Sequence, residues 1–238
     1  MPEPDPRPRK GKIKRSGGEH PRRVARLINP RILQALIHIG SLIPFVLLVL
    51  DYSRGNLTAN PIQEATLRTG KTALTLLVLS LACTPLCTYL RFTAANRFRR
   101  PLGLYAFFYA AVHFLIFVWV DLGLNWAFIV EGFIQKPYAL VGFSAFLLLI
   151  PLAITSTKGW QRRLGKRWKR LHSLVYIVAG LVVIHYVWVV KSDTREPLLW
   201  GAGIGLLLLL RHRSVKAWIL SLIGKKRRPQ KTAYTVNN

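Results

Sequence analysis

Residues 102–120 read LGLYAFFYAAVHFLIFVWV, nineteen positions whose single basic or acidic side chain is His113. At about 1.5 Å per residue the stretch approaches the roughly 30 Å of a bilayer's hydrocarbon core, so it reads as a transmembrane helix. Residues 171–190, LHSLVYIVAGLVVIHYVWVV, repeat the pattern, with His172 at the start and His185 towards the far end. An ionisable side chain inside such a block is a functional candidate, because burying it without a partner is expensive. These two blocks decide the fold class: a helical membrane bundle with imidazoles in its apolar interior.

Working outward, further blocks give six spans, near Ile32–Leu50, Thr72–Leu90, Leu102–Val120, Tyr138–Ser156, Leu171–Val190 and Leu198–Leu210. The expectation is an all-α integral membrane protein, a six-transmembrane-helix bundle. It divides into a basic disordered tail over 1–31, the membrane domain over 32–210 and a second basic tail over 211–238. The sixth block is short and runs into Arg211-His212-Arg213, so it must be tilted or extend past that cluster. No apolar run of a cleavable signal precedes the first span.

Charge sets the orientation. The chain carries 35 Lys and Arg against 9 Asp and Glu, a net charge of +26. The two tails and the loops 91–100 and 158–170 hold 29 of the basic residues and only Glu3, Asp5 and Glu19 of the acids. The alternate segments hold six of each sign. The positive-inside rule then places both termini in the cytoplasm. Spans three and five run in the same direction, so residues at equal depth on them can face one another. The basic runs abut spans and lack interleaved aromatic platforms, which fits anionic lipid headgroups and argues against nucleic acid. Cys83 and Cys87 share a face inside the second block and read as small buried residues rather than a disulfide framework.

Four histidines lie in or beside spans. His38 sits near the cytoplasmic end of the first and reads as an interfacial or packing residue. His113 and His185 lie eleven and fourteen residues into parallel spans. Two neutral imidazoles at one depth suit the axial positions of a haem iron; two hydrogen-bonded packing histidines are the plainer reading. No carboxylate or cysteine shares their depth to complete a zinc site. His172 lies about 20 Å nearer the cytoplasm, and Arg99 matches it on span three. His113 and His185 are 72 positions apart, Arg99 and His172 73. A second cofactor level is thus geometrically available, with Arg99 in place of its histidine. Arg99 could meet a haem propionate, meet a phosphate or anchor at the interface. Thirteen residues leave His172 and His185 well over 90° apart on a straight helix. Gly180, between them, is where a distortion would be tolerated.

Taken together, LGLYAFFYAAVH, LGKRWKRLHSLVYIVAGLVVIH, and NPIQEATLRTGKTAL followed by ACTPL resemble the MsrQ family, formerly YedZ, over roughly residues 29–210. Its members are membrane haem subunits of the bacterial methionine sulfoxide reductase system, in the ferric-reductase-like transmembrane superfamily. The resemblance implies a b-type cytochrome of the inner membrane that takes electrons from the quinone pool. It passes them to a periplasmic, molybdopterin-containing methionine sulfoxide reductase catalytic subunit, which repairs oxidised proteins. It also implies one or two haem b groups associated with His113, His172 and His185, and FMN. Arg99 departs from the histidine pairs of the wider superfamily. The alternative is a ferric- or oxygen-reductase-like electron-transfer protein. With no GxGxxG and only a short basic C-terminal segment, that reading requires a separate cytoplasmic flavoprotein as donor.

Overall fold

The computed structural model describes residues 30–90, 92–190 and 193–225, which are helical with no strand among them. The helices are α1 (Pro30–Ser53), α2 (Pro61–Tyr89), α3 (Ala95–Leu115), α4 (Trp126–Gln135), α5 (Pro137–Ile154), α6 (Lys158–Leu164), α7 (Lys166–His172), α8 (Val175–Val189), α9 (Arg195–Leu209) and α10 (Arg213–Lys225). A π-helical turn, Ile116–Asp121, continues α3. The expected N-terminal tail lies outside the described residues up to position 29, and its last two residues, Pro30 and Arg31, open α1; the expected C-terminal one continues as α10.

Five segments are long and apolar enough to cross a membrane: Arg31–Ser53, Pro61–Tyr89, Ala95–Asp121, Pro137–Ile154 and Lys166–Val189. The sixth expected crossing is a pair of helices, Arg195–Arg211 and Arg213–Leu222, bent by 74°. The chain is a multi-pass membrane protein. Large apolar side chains such as Ile39, Leu47, Leu147 and Ile184 are exposed along these helices, as lipid-facing positions are.

The expected blocks and the helices differ at their ends. α2 starts eleven residues before the apolar block at Thr72, because Asn60 caps it and Pro61 occupies its first turn. The Asn60 side chain accepts from the Gln63 N–H at 3.1 Å. Thr66, Thr69, Thr72 and Thr75 donate their hydroxyls to carbonyls four residues back, at 2.7–2.8 Å. The threonines therefore enter the bundle already satisfied. The loops at 121–137 and 158–170 contain α4, α6 and the start of α7, which hydropathy alone did not reveal.

The closest pairings are α2 with α3 and α5 with α8. Leu77, Phe98, Ala106, Tyr109, Ala145 and Val178 belong to the core between them. The three described ion pairs, Arg68–Asp51, Arg68–Glu64 and Lys71–Glu196, lie at the end of the bundle where acids and bases balance.

Candidate functional site

His113, late in α3, and His185, late in α8, meet inside the bundle. Their ring centroids are 6.1 Å apart and their planes nearly perpendicular, at 88°. His113 Nδ1 lies 2.9 Å from the Thr66 carbonyl oxygen, and His185 Nδ1 lies 2.7 Å from that of Tyr138. A carbonyl only accepts, so Nδ1 is the protonated nitrogen of each neutral ring and the lone pair is left on Nε2. That second-sphere arrangement fixes a metal-ligating imidazole in orientation and tautomer. A metal–nitrogen bond of about 2 Å, with each ring centre roughly 1 Å behind its nitrogen, spaces two imidazoles ligating one ion from opposite sides by about 6 Å.

Each ring is backed by a glycine one helical turn beyond its carbonyl. A Cβ on Gly142 would lie 2.7 Å from both Nδ1 and Cε1 of His185, and one on Gly70 would lie 3.1 and 3.2 Å from the same atoms of His113. The two cradles share one spacing. Each histidine donates to a carbonyl 47 positions earlier in the chain. Gly70 and Gly142 are themselves 72 positions apart, the separation of His113 from His185.

The two imidazoles line a cavity of about 430 Å³, within the range of small-molecule sites. Phe114 stacks on Phe143 and Phe146 along its wall, with centroids 5.3 and 5.0 Å apart. Asn60, Gln63, Asp121 and Lys136 line its polar side. No group of three or more His, Cys, Asp or Glu that could hold a metal ion occurs among the described residues. His113 and His185, with no further metal-ligating cluster among the described residues, would suit an ion whose other ligands come from an organic macrocycle, and the aromatic apolar wall suits such a group.

The other expected site residues lie towards the opposite end. His172 ends α7, its ring stacked on Trp168 at 4.1 Å. The Thr155 hydroxyl donates to the Pro151 carbonyl at 2.6 Å and so accepts from His172 Nε2 at 3.1 Å. The break between His172 and His185 falls at Ser173–Leu174, where α7 ends, and not at Gly180, which is inside α8. Arg99 lines a separate small pocket near the ends of α2 and α9. His38 bonds the Tyr105 hydroxyl at 3.0 Å, a contact between α1 and α3. Cys83 and Cys87 are free thiols.

Sequence reasoning missed Gly70, Gly142 and the two carbonyls, since a main-chain acceptor leaves no mark in composition. Their signal is the equal spacing of glycine and histidine in the two halves of the chain.

Residues 69–183 match the family described as ferric reductase like transmembrane component. The chain is 48% identical over 178 residues to a protein of Xanthomonas campestris pv. campestris (strain 8004), covering 72% of this chain and 82% of that one. It is 46% identical over 181 residues to one of Xanthomonas axonopodis pv. citri (strain 306), with coverage of 74% and 83%. A protein of Herminiimonas arsenicoxydans is 43% identical over 183 residues, with coverage of 76% and 84%. All three bear the name protein-methionine-sulfoxide reductase heme-binding subunit MsrQ. With identity of that level over more than two thirds of its length, the chain belongs to the MsrQ family of ferric-reductase-like transmembrane proteins.

Proposed function

We propose that this chain is a membrane electron-transfer subunit in which His113 and His185 hold the iron of one b-type haem from opposite sides. The observation that carries this reading is the pair of rings 6.1 Å apart, each tied through Nδ1 to a main-chain carbonyl. When bound, the haem supplies reversible one-electron chemistry within the bilayer. The protein's own residues do the rest. The Thr66 and Tyr138 carbonyls orient the rings and raise the basicity of Nε2. Phe114, Phe143 and Phe146 keep water from the apolar wall. Lys136, on the polar side of the cavity, would meet the group's carboxylates, whereas Lys71 is engaged by Glu196 at 2.9 Å. One or two haems fit this reading, the second at the level of His172, whose ring is held by Thr155 and Trp168.

The relatives' name extends the reading to a methionine sulfoxide reductase as electron acceptor. In this scheme quinol in the inner membrane is the donor, FMN a second carrier, and a periplasmic molybdopterin subunit that repairs oxidised proteins the acceptor. The charge asymmetry supports that orientation, with both termini cytoplasmic.

A reduced-minus-oxidised spectrum of the purified protein tests the haem pair. The wild type should show a b-type low-spin band, and His113→Ala and His185→Ala should each lose it. Either variant keeping wild-type haem content and a low-spin spectrum would sink the pairing.

A further inference from the structure

At the opposite end of the bundle from the haem-sized cavity, α9 bends by 74° into α10. Beneath the bend lies a pocket of about 160 Å³ that brings together Arg99, Arg211 and Lys216 from three different helices or their ends. Thr84, Thr88 and Tyr176 add hydroxyls to its lining. No carboxylate lines it, and none of the three cations is ion-paired among the described residues.

Arg211 is built in rather than splayed into solvent. Pro85 has no N–H to give the carbonyl of Leu81 four residues back, and an Arg211 Nη2 hydrogen bond of 2.5 Å satisfies that carbonyl. The same nitrogen donates to Thr84 Oγ1 at 2.7 Å, and Nη1 donates to the Tyr176 hydroxyl at 3.2 Å. Neutral oxygens hold the guanidinium in place without cancelling its charge, and its buried Nε has no partner among the described residues. Neither the Arg99 nor the Lys216 side chain makes a described hydrogen bond or ion pair, so both are available to a ligand. Three like charges converging with no counter-ion among the described residues repel one another, and a bound anion relieves that repulsion.

We propose that this pocket binds a phosphate group, with Arg99, Arg211 and Lys216 as its cationic wall and Thr88 as an added hydroxyl. Its volume is well below the roughly 300–1,000 Å³ of a pocket that encloses a whole small molecule. It therefore takes the phosphate alone and leaves the organic remainder outside. α10 favours that arrangement: Val215, Trp218, Ile219 and Leu222 fall on one helical face, the spacing of a helix lying along a membrane surface. The phosphate comes either from an anionic phospholipid headgroup at that surface or from a soluble phosphate monoester.

Two arms separate the sources. In the first, haem-loaded full-length protein is placed in nanodiscs of phosphatidylcholine with or without phosphatidylglycerol, and retained lipid is read by native mass spectrometry. In the second, detergent-solubilised protein is melted with inorganic phosphate or chloride at one ionic strength. Arg99→Gln and Lys216→Gln are the test variants, because Arg211→Gln also strips Leu81 of its partner and could unfold the helix end. Selective retention of phosphatidylglycerol assigns a headgroup, whereas a phosphate-specific rise in Tm assigns a soluble phosphate. In either case each variant should weaken the effect roughly fivefold. Absence of both effects in the wild type, or effects undiminished in both variants, overturns the proposal. The haem band recorded on the same samples reports the His113–His185 site separately.

Discussion

Gly142 and Gly70 do the same job on two helices, but with different clearance. At Gly142 an added methyl would sit 2.7 Å from two atoms of the His185 ring, closer than a Cβ tolerates. The ring would have to swing away, breaking its 2.7 Å bond to the Tyr138 carbonyl and freeing the tautomer. At Gly70 the contacts of 3.1 and 3.2 Å ask only for a few tenths of an ångström. In the proposed haem site, Gly142→Ala should therefore lose most of the bound haem. Gly70→Ala should keep haem, with a shifted midpoint potential as the His113–Thr66 bond lengthens. Haem per protein by pyridine haemochrome and a potentiometric titration check both; equal haem content in wild type and Gly142→Ala would show that the cradle does not position the ligand.

At the scale of helices, the bundle is held by side chains that repair breaks in the main-chain ladder. Pro44 lies inside α1, and just beyond it the Phe45 N–H bonds the Tyr109 hydroxyl at 3.0 Å. That hydroxyl donates in turn to the Ser41 carbonyl at 2.7 Å, so Tyr109 is inserted into the α1 ladder from α3. Tyr109 is 1% exposed, and its removal leaves a donor and an acceptor unpaired in an apolar setting. Tyr109→Phe should lower stability by about 1–3 kcal/mol, read as a drop in Tm with the haem band unchanged before melting. A Tm equal to wild type would mean that water or lipid replaces the hydroxyl. Hydropathy shows that α1 and α3 exist, since nineteen-residue apolar blocks have few other readings, but it cannot show this bond. It also misplaces helix starts: the polar turns from Pro61 to Lys71 are helical because Asn60 caps them and ion pairs neutralise Arg68 and Lys71. α4 escapes notice because a ten-residue, mostly apolar stretch between spans reads as loop or as membrane edge.

Over the whole molecule, the two cradles make the site an internal repeat. Thr66, Gly70, Ala73 and Leu77 of α2 stand 72 positions before Tyr138, Gly142, Ala145 and Leu149 of α5, and α3 and α8 answer with His113 and His185. The histidine pair is legible in sequence because equal depth on parallel spans follows from span order alone. His172 is harder to place, since its environment depends on the break at Ser173–Leu174 and on Thr155, Trp168 and the chain's path between α5 and α8. Orientation in the bilayer rests on charge. Every described ion pair lies at one end of the bundle, while Arg99, Arg211 and Lys216 share a pocket at the other with no carboxylate among its described lining. The positive-inside rule would place the unpaired cations at the cytoplasmic face and the polar side of the cavity lined by His113 and His185 at the periplasmic one. A periplasm-active reporter fused after Leu124 should therefore be active, and the same reporter fused after Gly165 silent. The converse, with a cytoplasm-active reporter, should give the mirror result. Activity after Gly165 and silence after Leu124 would turn the cavity's polar side towards the cytoplasm, and a periplasmic acceptor would then face the end of the bundle farthest from His113 and His185.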